Sequence, residues 1–422
     1  MKRHPAVSYT SGKVKFLPLG RWKGTLTKDD LPVPYIALTD HLDMIGVKLF
    51  GSYQKTRQAN FQDIVEKVQR TISHWKSGRF MPLVNRPYSL NLFCLSKVWF
   101  KCSSLNMRVS DINKISSSLK SFLFADQLEK PPEHVLCRSR KMGGLGLVNV
   151  ESKATALLIK SFLETAINSN FLKSEYHEAL YFWYVEERRD IVQPIQPPYY
   201  NNEFFAIIKK TKNQGLLNIS TMSTRMWYRL LLEQNVTHHL SIDQSPVLIP
   251  SRIETKIKDC RWEITWKLSC LPGLPSIFSS FLWRMIHDLL PTEKRLHRIG
   301  VSGGNGGICQ LCSINEQGDL LHSLFLCDFN AEAGNFVLQV NRKAVPSLHP
   351  KQILILDFDV DENLRLPIVY IVACSLSHIW RYRKEKKATS AFKVRTSLEA
   401  STNILRKSRF KNAAEKIDEL LE

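Results

Sequence analysis

The chain has 422 residues, of which 44% are hydrophobic and 10% aromatic, and this composition excludes a mainly disordered protein. Its 19 Pro and 18 Gly are too few for a collagen-like or low-complexity chain. No apolar run has the roughly 18–20 residues needed to cross a bilayer, and the N-terminus lacks the apolar core of a secretory signal. We therefore expect an intracellular protein, in the nucleus or cytoplasm, with no membrane partner.

The net charge of +20 is distributed unevenly along the chain. Residues 1–150 contain 24 Lys and Arg against 10 Asp and Glu, a surplus of 14, and residues 380–422 contain 12 against 6, a surplus of 6. The residues between them are neutral, with 23 of each sign. Basic ends around a neutral middle indicate a polyanionic partner, of which nucleic acid is the simplest. The alternative is a basic surface that has no specific partner.

In chain order, residues 1–50 are short apolar segments broken by Pro and Gly, which favour short β-strands. Helical spacing of apolar residues then predicts a basic helical domain over 51–170. A helical connector with a Pro-rich joint follows over 171–250. The expected helices in these two regions lie at 61–75, 87–100, 109–124, 154–166, 176–189 and 223–235.

The last part of the chain is also predicted to be helical. Residues 251–335 contain helical stretches around a PGLP turn, followed by a cluster of cysteines. Residues 336–422 are expected to form C-terminal basic helices, with a buried helix at 368–387 and one polar, basic helix over the last 30 residues. The predicted fold class is therefore mainly α, with short β pieces at the N-terminus and a small zinc knuckle.

The segment CQLCSINEQGDLLHSLFLC contains the strongest chemical signal in the chain. Cys309 and Cys312 are two residues apart, so one tight turn can direct both sulfurs to a common centre. His322 and Cys327 follow, about one helical turn apart, and can face the same centre. Three thiolates and one imidazole form a closed tetrahedral shell, which is typical of structural zinc. The alternative is two buried thiols and an incidental histidine.

Other cysteines and histidines are predicted to have no role in metal binding. Nine cysteines is an odd number, and without a secretion signal it favours a reducing compartment over a disulfide framework. His287 and His297 are near the cluster in sequence, and we expect them to be core or surface residues. Buried reduced thiols are predicted at Cys94, Cys102, Cys137, Cys260, Cys270 and Cys374.

FLWRMIHDLLPTEKRLHRIG, followed by CQLC and LLHSLFLC, resembles the zinc-binding segment near the C-terminus of LINE-type (non-LTR) retrotransposon reverse transcriptases. The matching positions are Trp283, Leu290, Pro291, Thr292, Leu296, Cys309, Cys312, His322 and Cys327. Weaker similarity extends over about residues 15–390. It includes MIGVKLF, which is similar to the strand after the palm, and HWKSGRFMPLVNRPYSLN, which resembles the thumb helix. It also includes the KMGGLGLVNV segment and the aromatic-basic segment HIWRYRKEKK.

This resemblance implies a role for each region. Residues 1–50 would be the end of a polymerase palm, 51–170 a thumb-like domain and 251–335 the reverse-transcriptase zinc-binding domain. The thumb-like helices would contact the phosphates of RNA or DNA without reading sequence. The basic residues expected to make these contacts are Lys67, Arg70, Lys76, Arg79 and Arg86.

The chain departs from the family in its catalytic residues. The family's polymerase holds two divalent ions with paired aspartates in an apolar palm hairpin, and no such hairpin occurs here. Asp29 and Asp30 lie in a polar turn, and the motifs of the family's endonucleases are also missing. The chain is thus expected to begin just past the palm, to contain no catalytic residue and not to be an enzyme as it stands, and no small-molecule substrate is indicated.

The favoured function is therefore a non-catalytic, zinc-containing, nucleic-acid-binding fragment. Two alternatives remain open. The chain could be an accessory part of an RNA-directed DNA polymerase that acts with a separate palm. It could also be a module whose zinc knuckle binds protein, in which case its basic surface would be incidental.

Overall fold

The computed structural model describes residues 15–17, 25, 27, 37–77, 81–124, 130–168, 174–194, 200–215, 218–237, 252–301, 306–312 and 316–422. Within these ranges the protein is mainly helical, with short strands near the N-terminus, and the predicted fold class is confirmed. No helix in the described part of the chain is long and apolar enough to cross a membrane.

The described strands form two small ladders. The strands β1 (Lys15–Phe16) and β2 (Ala37–Leu38) pair in parallel, whereas β3 (His41–Met44) and β4 (Val47–Phe50) form an antiparallel hairpin. Ile45 and Gly46 both have positive φ, 47° and 77°, as a two-residue hairpin turn that matches the strand twist requires. The segment MIGVKLF thus contains the last residue of β3, the hairpin turn and β4.

The helices follow one another with mostly short connections. They are α1 (Tyr53–Ser77), α2 (Arg86–Ser89), α3 (Ser96–Cys102), α4 (Val109–Phe124), α5 (Glu133–Cys137), α6 (Val150–Leu163), α7 (Glu175–Tyr184), α8 (Asn202–Asn213), α9 (Thr224–Thr237), α10 (Arg252–Lys256), α11 (Trp262–Ser269), α12 (Ser276–Ile286), α13 (Glu293–Arg298), α14 (Ala331–Arg342), α15 (Pro350–Ile355), α16 (Glu362–Lys384), α17 (Ala391–Arg406) and α18 (Lys411–Leu421). Wider π-helical turns occur at Leu90–Cys94, Glu164–Asn168 and His322–Leu326.

Two predicted helices are interrupted in the structure, and the helix expected at 176–189 ends earlier, at Tyr184. The helix expected at 87–100 is interrupted, because a π-helical turn at Leu90–Cys94 separates α2 from α3. The single helix expected over the last 30 residues is wrong: α17 and α18 are separate, and the Ser408 hydroxyl accepts the Phe410 N–H in the turn between them. Each of these two helices buries an apolar face, so neither is a wholly polar surface helix.

The described residues form two compact units. The first contains those within Met1–Arg79, Asn91–Phe122 and Asn149–Asp243. In it, α1 buries Phe61, Ile64 and Val68 on one face. Farther along the chain, the ring of Phe162 on α6 is surrounded by those of Tyr200, Phe204 and Phe205, with centroid separations of 5.0, 5.5 and 5.7 Å.

The second unit contains the described residues within Phe80–Leu90, Leu123–Val148 and Gln244–Glu422, and its core is built around α16. This helix packs against α11, α12, α14, α17 and α18. It begins before the predicted residue 368 and has Pro367 inside it. Its C-terminal part reaches the π-helical turn His322–Leu326, which places α16 beside the cysteine cluster.

The glycine segment before α6 is fixed in the second unit by close packing. Gly143 has φ +78°, and a Cβ there would lie 2.5 Å from the Trp266 ring. The Gly143 carbonyl accepts hydrogen bonds from Trp283 Nε1 at 2.9 Å and His287 Nε2 at 2.8 Å. The segment thereby connects to α11 and α12, whose indole rings surround it.

Candidate metal centre

The first two candidate ligands lie in a loop whose ends are joined by backbone hydrogen bonds. Ile308 and Gln317 form an antiparallel bridge, and the Cys309 N–H donates to the Glu316 carbonyl at 2.9 Å. The N–H of Leu311 contacts the Cys309 sulfur at 3.5 Å, as expected for a turn that wraps around a thiolate. These hydrogen bonds fix the Cys309–Cys312 turn, from which both sulfurs reach the candidate site.

The other two ligands lie at the two ends of a π-helical turn: His322 is its first residue, and Cys327 directly follows its last. The Cys327 N–H donates to the His322 carbonyl at 2.8 Å, a bond that spans five residues, one more than an α-helical bond. The Asp319 carboxylate accepts the His322 N–H at 2.9 Å and fixes the start of the turn. Such wide turns are frequent at functional sites because they redirect side chains within a helix. Here the turn directs His322 and Cys327 to the same centre.

The four ligand atoms converge as the sequence predicts. One atom from each of Cys309, Cys312, His322 and Cys327 lies within 4.8 Å of all the others. The sulfurs of Cys309 and Cys327 are 3.8 Å apart, and the Cys312 sulfur is 3.3 Å from His322 Nε2. In a tetrahedral site with Zn–S bonds of ~2.3 Å, neighbouring sulfurs lie about 3.8 Å apart. The spacing and the donor types thus fit zinc.

Burial makes this a closed site. Cys327, His322 and Cys309 are 0%, 2% and 5% exposed, and Cys312 is half-buried. With four protein ligands, zinc has a complete tetrahedral shell, as in structural sites. Within the described residues, no other group of three or more His, Cys, Asp or Glu converges in this way.

Glu316 orients the imidazole ligand. Its Oε2 lies 3.1 Å from His322 Nδ1, which leaves Nε2 toward Cys312. A carboxylate on the far nitrogen of a metal-binding histidine selects the tautomer and increases the basicity of the ligand. The neutral ring therefore presents its lone pair to the metal position.

Arg383 on α16 contacts the site from outside the cysteine segment. Its guanidinium donates to the Cys309 sulfur at 3.2 Å and to the Cys327 sulfur at 3.5 Å. It also donates to Glu293 Oε1 at 2.8 Å and is only 5% exposed. Three thiolates, one imidazole and Zn²⁺ have a net charge of −1, which this guanidinium offsets inside the protein.

The same contacts change the acidity of one ligand. Burial alone would raise the pKa of the Cys309 thiol, but Arg383 and the N–H groups of Leu311 and Cys312 lower it to about 6. Metal ligation requires the thiolate, so these groups prepare Cys309 for zinc at neutral pH. By contrast, burial raises the pKa of Cys94 to about 11 and that of Cys102 to about 12.

Sequence reasoning did not identify Arg383, although a signal was available. Leu376, Ile379 and Arg383 follow helical spacing and lie on the buried face of α16. A cation at a buried helical position requires a partner of opposite charge. The pattern therefore indicated a buried anionic group, but not which one.

The competing histidines lie apart from the cluster. His287 is a core residue: it donates to Gly143 and stacks on Trp266, and burial lowers its pKa to about 4. His297 is exposed on α13. Cys94, Cys102, Cys260 and Cys374 are buried as expected, and Cys137 and Cys270 are half-buried.

The residues expected to contact nucleic acid differ in their exposure and in the helix face on which they lie. Lys67, Arg70 and Lys76 are exposed on α1. At 100° per residue, Arg70 lies within about 60° of Lys67 around the helix axis, whereas Lys76 lies on the opposite face from Lys67. Arg79, like Asp29 and Asp30, is outside the described residues. Their proposed contacts with nucleic acid remain predictions.

Three of the expected contact residues have ion-pair or hydrogen-bond partners within the chain: Lys67, Lys76 and Arg86. Lys67 pairs with Asp63 at 2.8 Å, and Lys76 donates to the Ser121 hydroxyl at 2.8 Å. Arg86 is half-buried and donates to the carbonyls of Met81 at 3.0 Å and Leu123 at 2.7 Å. Exposed pairs such as Lys67–Asp63 contribute little to stability.

Comparison with known proteins agrees with this site. Residues 250–333 match the protein family described as zinc-binding in reverse transcriptase. The match includes all four ligands and Glu293, and it ends before α16, which contains Arg383. A search of curated proteins gives no match to the chain. Together, the family match and the convergent ligands identify zinc as the cofactor of this region.

Proposed function

We propose that this chain is a non-catalytic, zinc-containing, nucleic-acid-binding fragment similar to the C-terminal region of LINE-type reverse transcriptases. In this proposal it has neither the polymerase palm nor the endonuclease of such proteins, and residues 51–170 act as a thumb-like domain. The observation that supports it most directly is the match to a reverse-transcriptase zinc-binding family over a segment whose four ligands converge.

The metal site has a structural role in this proposal. A catalytic zinc keeps one coordination position for water or substrate, whereas Cys309, Cys312, His322 and Cys327 fill all four. The residues present would therefore hold the zinc, and the zinc would hold the loop Cys309–Cys312 against the turn that leads to α14. When bound, the metal supplies cross-linking of the chain rather than an activated water.

Charge supports the nucleic-acid partner. The surplus of 14 positive charges in residues 1–150 includes the exposed Lys67 and Arg70 on one side of α1. Cations on such a surface bind phosphates and release counterions, so the affinity falls steeply as salt increases. RNA and DNA share this phosphate chemistry, and either would bind.

Binding can be measured by fluorescence anisotropy with labelled RNA and DNA between 50 and 200 mM salt, a range in which phosphate contacts change affinity strongly. We expect affinity to fall by at least about tenfold across this range. The double substitution Lys67→Gln/Arg70→Gln should weaken binding about five- to tenfold. The control Lys210→Gln/Arg225→Gln removes the same charge at exposed positions outside the basic third and should bind like wild type.

Two results would contradict the proposal. An affinity that is independent of salt, or absent near 150 mM salt, would favour the zinc-knuckle module that binds protein. DNA synthesis by the purified chain on a primed template would show that it is an enzyme after all. Synthesis only after addition of a separate palm fragment would favour the accessory role.

A further inference from the structure

A cavity of about 520 Å³ lies between α12 and α16 in the second unit. We call it the α12–α16 groove. It is bounded by residues 81–86, by one face of each of these helices, by the turn 289–291 and by two serines of α17. Its volume is within the range of about 300–1,000 Å³ that is typical of ligand sites. The groove lies on a different face of α16 from Arg383, which is not among its lining residues.

The lining of the groove is strongly basic. Arg86, Arg284, Arg381 and Lys384 contribute four cations, and the described residues that line it include no Asp or Glu. Arg381 and Lys384 are three residues apart on α16 and are both exposed. Burial and the nearby Arg86 lower the pKa of Arg284, as expected where like charges share a site without a carboxylate. The groove therefore has a positive potential that favours an anion.

Two buried donors in the lining lack an acceptor. The Nε of Arg284 is buried without a hydrogen-bond partner, and so is Nε2 of His378, a residue only 7% exposed. Arg381 lies 3.2 Å from His378 Nδ1 and can only donate, so Nδ1 accepts and the neutral ring carries its proton on Nε2. Both orphan atoms are thus N–H donors, and buried N–H donors are normally satisfied.

Aromatic side chains accompany the cations. Phe278 and Phe281 line the groove from α12 and are half-buried, so their rings retain accessible surface. A basic groove with aromatic faces is the combination that binds single-stranded nucleic acid, because the cations follow the backbone and the rings stack on bases. A cavity of this size can hold a phosphate with its nucleotide, but it cannot hold a double helix.

We propose that the α12–α16 groove binds the backbone of single-stranded nucleic acid, with phosphate oxygens accepting from Arg284, His378 and the two exposed cations of α16. Phe278 and Phe281 contact the bases. This inference rests on the proposed function and adds to it a binding surface whose helices α12, α16 and α17 lie beyond the basic first third of the chain, and to which Arg86 contributes from within that third. The ligand class is a single-stranded phosphodiester, RNA or DNA.

The test compares short labelled oligo(U) and oligo(dT) on the zinc-loaded full chain. The variant Arg381→Gln/Lys384→Gln changes two exposed residues of the groove. The control Lys343→Gln/Lys351→Gln removes the same charge from exposed positions of the second unit that do not line it. We expect the groove variant to bind about tenfold more weakly, with the log–log salt slope reduced by about 1.4, or 0.7 per lost phosphate contact. Phe281→Ala should weaken binding without changing that slope.

The outcomes separate this inference from the proposed function. If the wild type binds and the groove variant binds equally well, the groove is not a site, although the proposed function stands. Equal weakening by groove and control variants would show a non-specific charge effect and would also overturn the groove. If the wild type binds neither oligonucleotide nor duplex, both the groove and the proposed function fail. Zinc content should be that of wild type in every variant, and the two double charge variants should also unfold thermally like wild type, whereas Phe281→Ala removes a ring that packs on the core and is expected to unfold at a lower temperature.

Discussion

At the scale of single residues, the metal centre consists of more than its four ligands. Glu316 fixes the imidazole of His322, and Arg383 donates to two of the three cysteine sulfurs. These contacts replace water around a charged cluster that is buried from solvent. Outer contacts of this kind set how tightly a site holds its metal, in addition to the ligands themselves.

Arg383→Gln tests that role. The substitution removes the guanidinium from Cys309 and Cys327 and leaves a site charge of −1 without compensation. We expect zinc affinity to fall by about 10–100-fold, the range found for outer contacts of metal ligands. The measurement is competition with a chromogenic chelator, which follows the transfer of zinc directly and does not depend on any activity.

Arg365→Gln provides the control, since Arg365 lies on the same helix and contacts Glu362 near its start. It should retain zinc like the wild type. If Arg383→Gln also retained zinc like the wild type, the guanidinium would be only a packing group. Equal zinc loss in both variants would instead show that any change in α16 disturbs the knuckle.

At the scale of elements, the second unit depends on a few close approaches between segments. The KMGGLG segment is one of these, because Gly143 lies against the Trp266 ring and its carbonyl accepts from two side chains of α12 and the following turn. Helix α16 is another: one face reaches the metal centre, and a different face lines the α12–α16 groove. The same helix therefore joins the metal centre to the proposed ligand site.

Gly143→Ala should destabilise the second unit markedly. Its Cβ would lie 2.5–2.8 Å from three atoms of Trp266, and the residue has a positive φ that L-residues disfavour. Backbone strain and overpacking together should cost about 2–4 kcal/mol of unfolding free energy. Urea unfolding followed by tryptophan fluorescence measures this change.

Gly146→Ala is a matched control from the same segment. Gly146 has a similar φ of +71°, but a Cβ there meets nothing within 4 Å. It should therefore show the strain alone, about 1–2 kcal/mol. Equal destabilisation by the two substitutions would mean that the contact with Trp266 is not tight. A stable Gly143→Ala protein would contradict the packing described for α11.

At the scale of the whole molecule, sequence reasoning succeeded where the signal is local. The spacing of Cys309, Cys312, His322 and Cys327 predicted a set that does converge, and the helix predicted at 109–124 matches α4. It failed where a residue's contacts or the first residue of a helix depend on tertiary packing. Nothing in the cysteine segment indicates a contact with Arg383, which lies 56 residues beyond Cys327. The start of α16 was predicted too late because a proline usually precedes or ends a helix, whereas Pro367 lies inside this one.

The two predicted helices that are interrupted in the structure were predicted as continuous for different physical reasons. Apolar periodicity continues through Leu90–Cys94, so it does not reveal that this turn is π-helical and shifts the register. In the tail, charge outweighed the apolar residues in the prediction, yet Leu398, Leu405, Ile417 and Leu421 are buried against the core. Of the surplus of 6 positive charges in residues 380–422, 4 lie within residues 381–387, at and just after the end of α16, and only 2 lie in the part that contains α17 and α18.

The central claim is that four residues of this chain hold one structural zinc ion, and metal analysis tests it most directly. The purified wild-type chain, prepared without chelator, should contain one zinc per chain. Cys309→Ser should lose most of this zinc and unfold about 5–10 °C lower, because binding energy at a structural site contributes to folding. A wild-type chain that is free of metal, or a Cys309→Ser chain that retains full zinc content and stability, would contradict the claim.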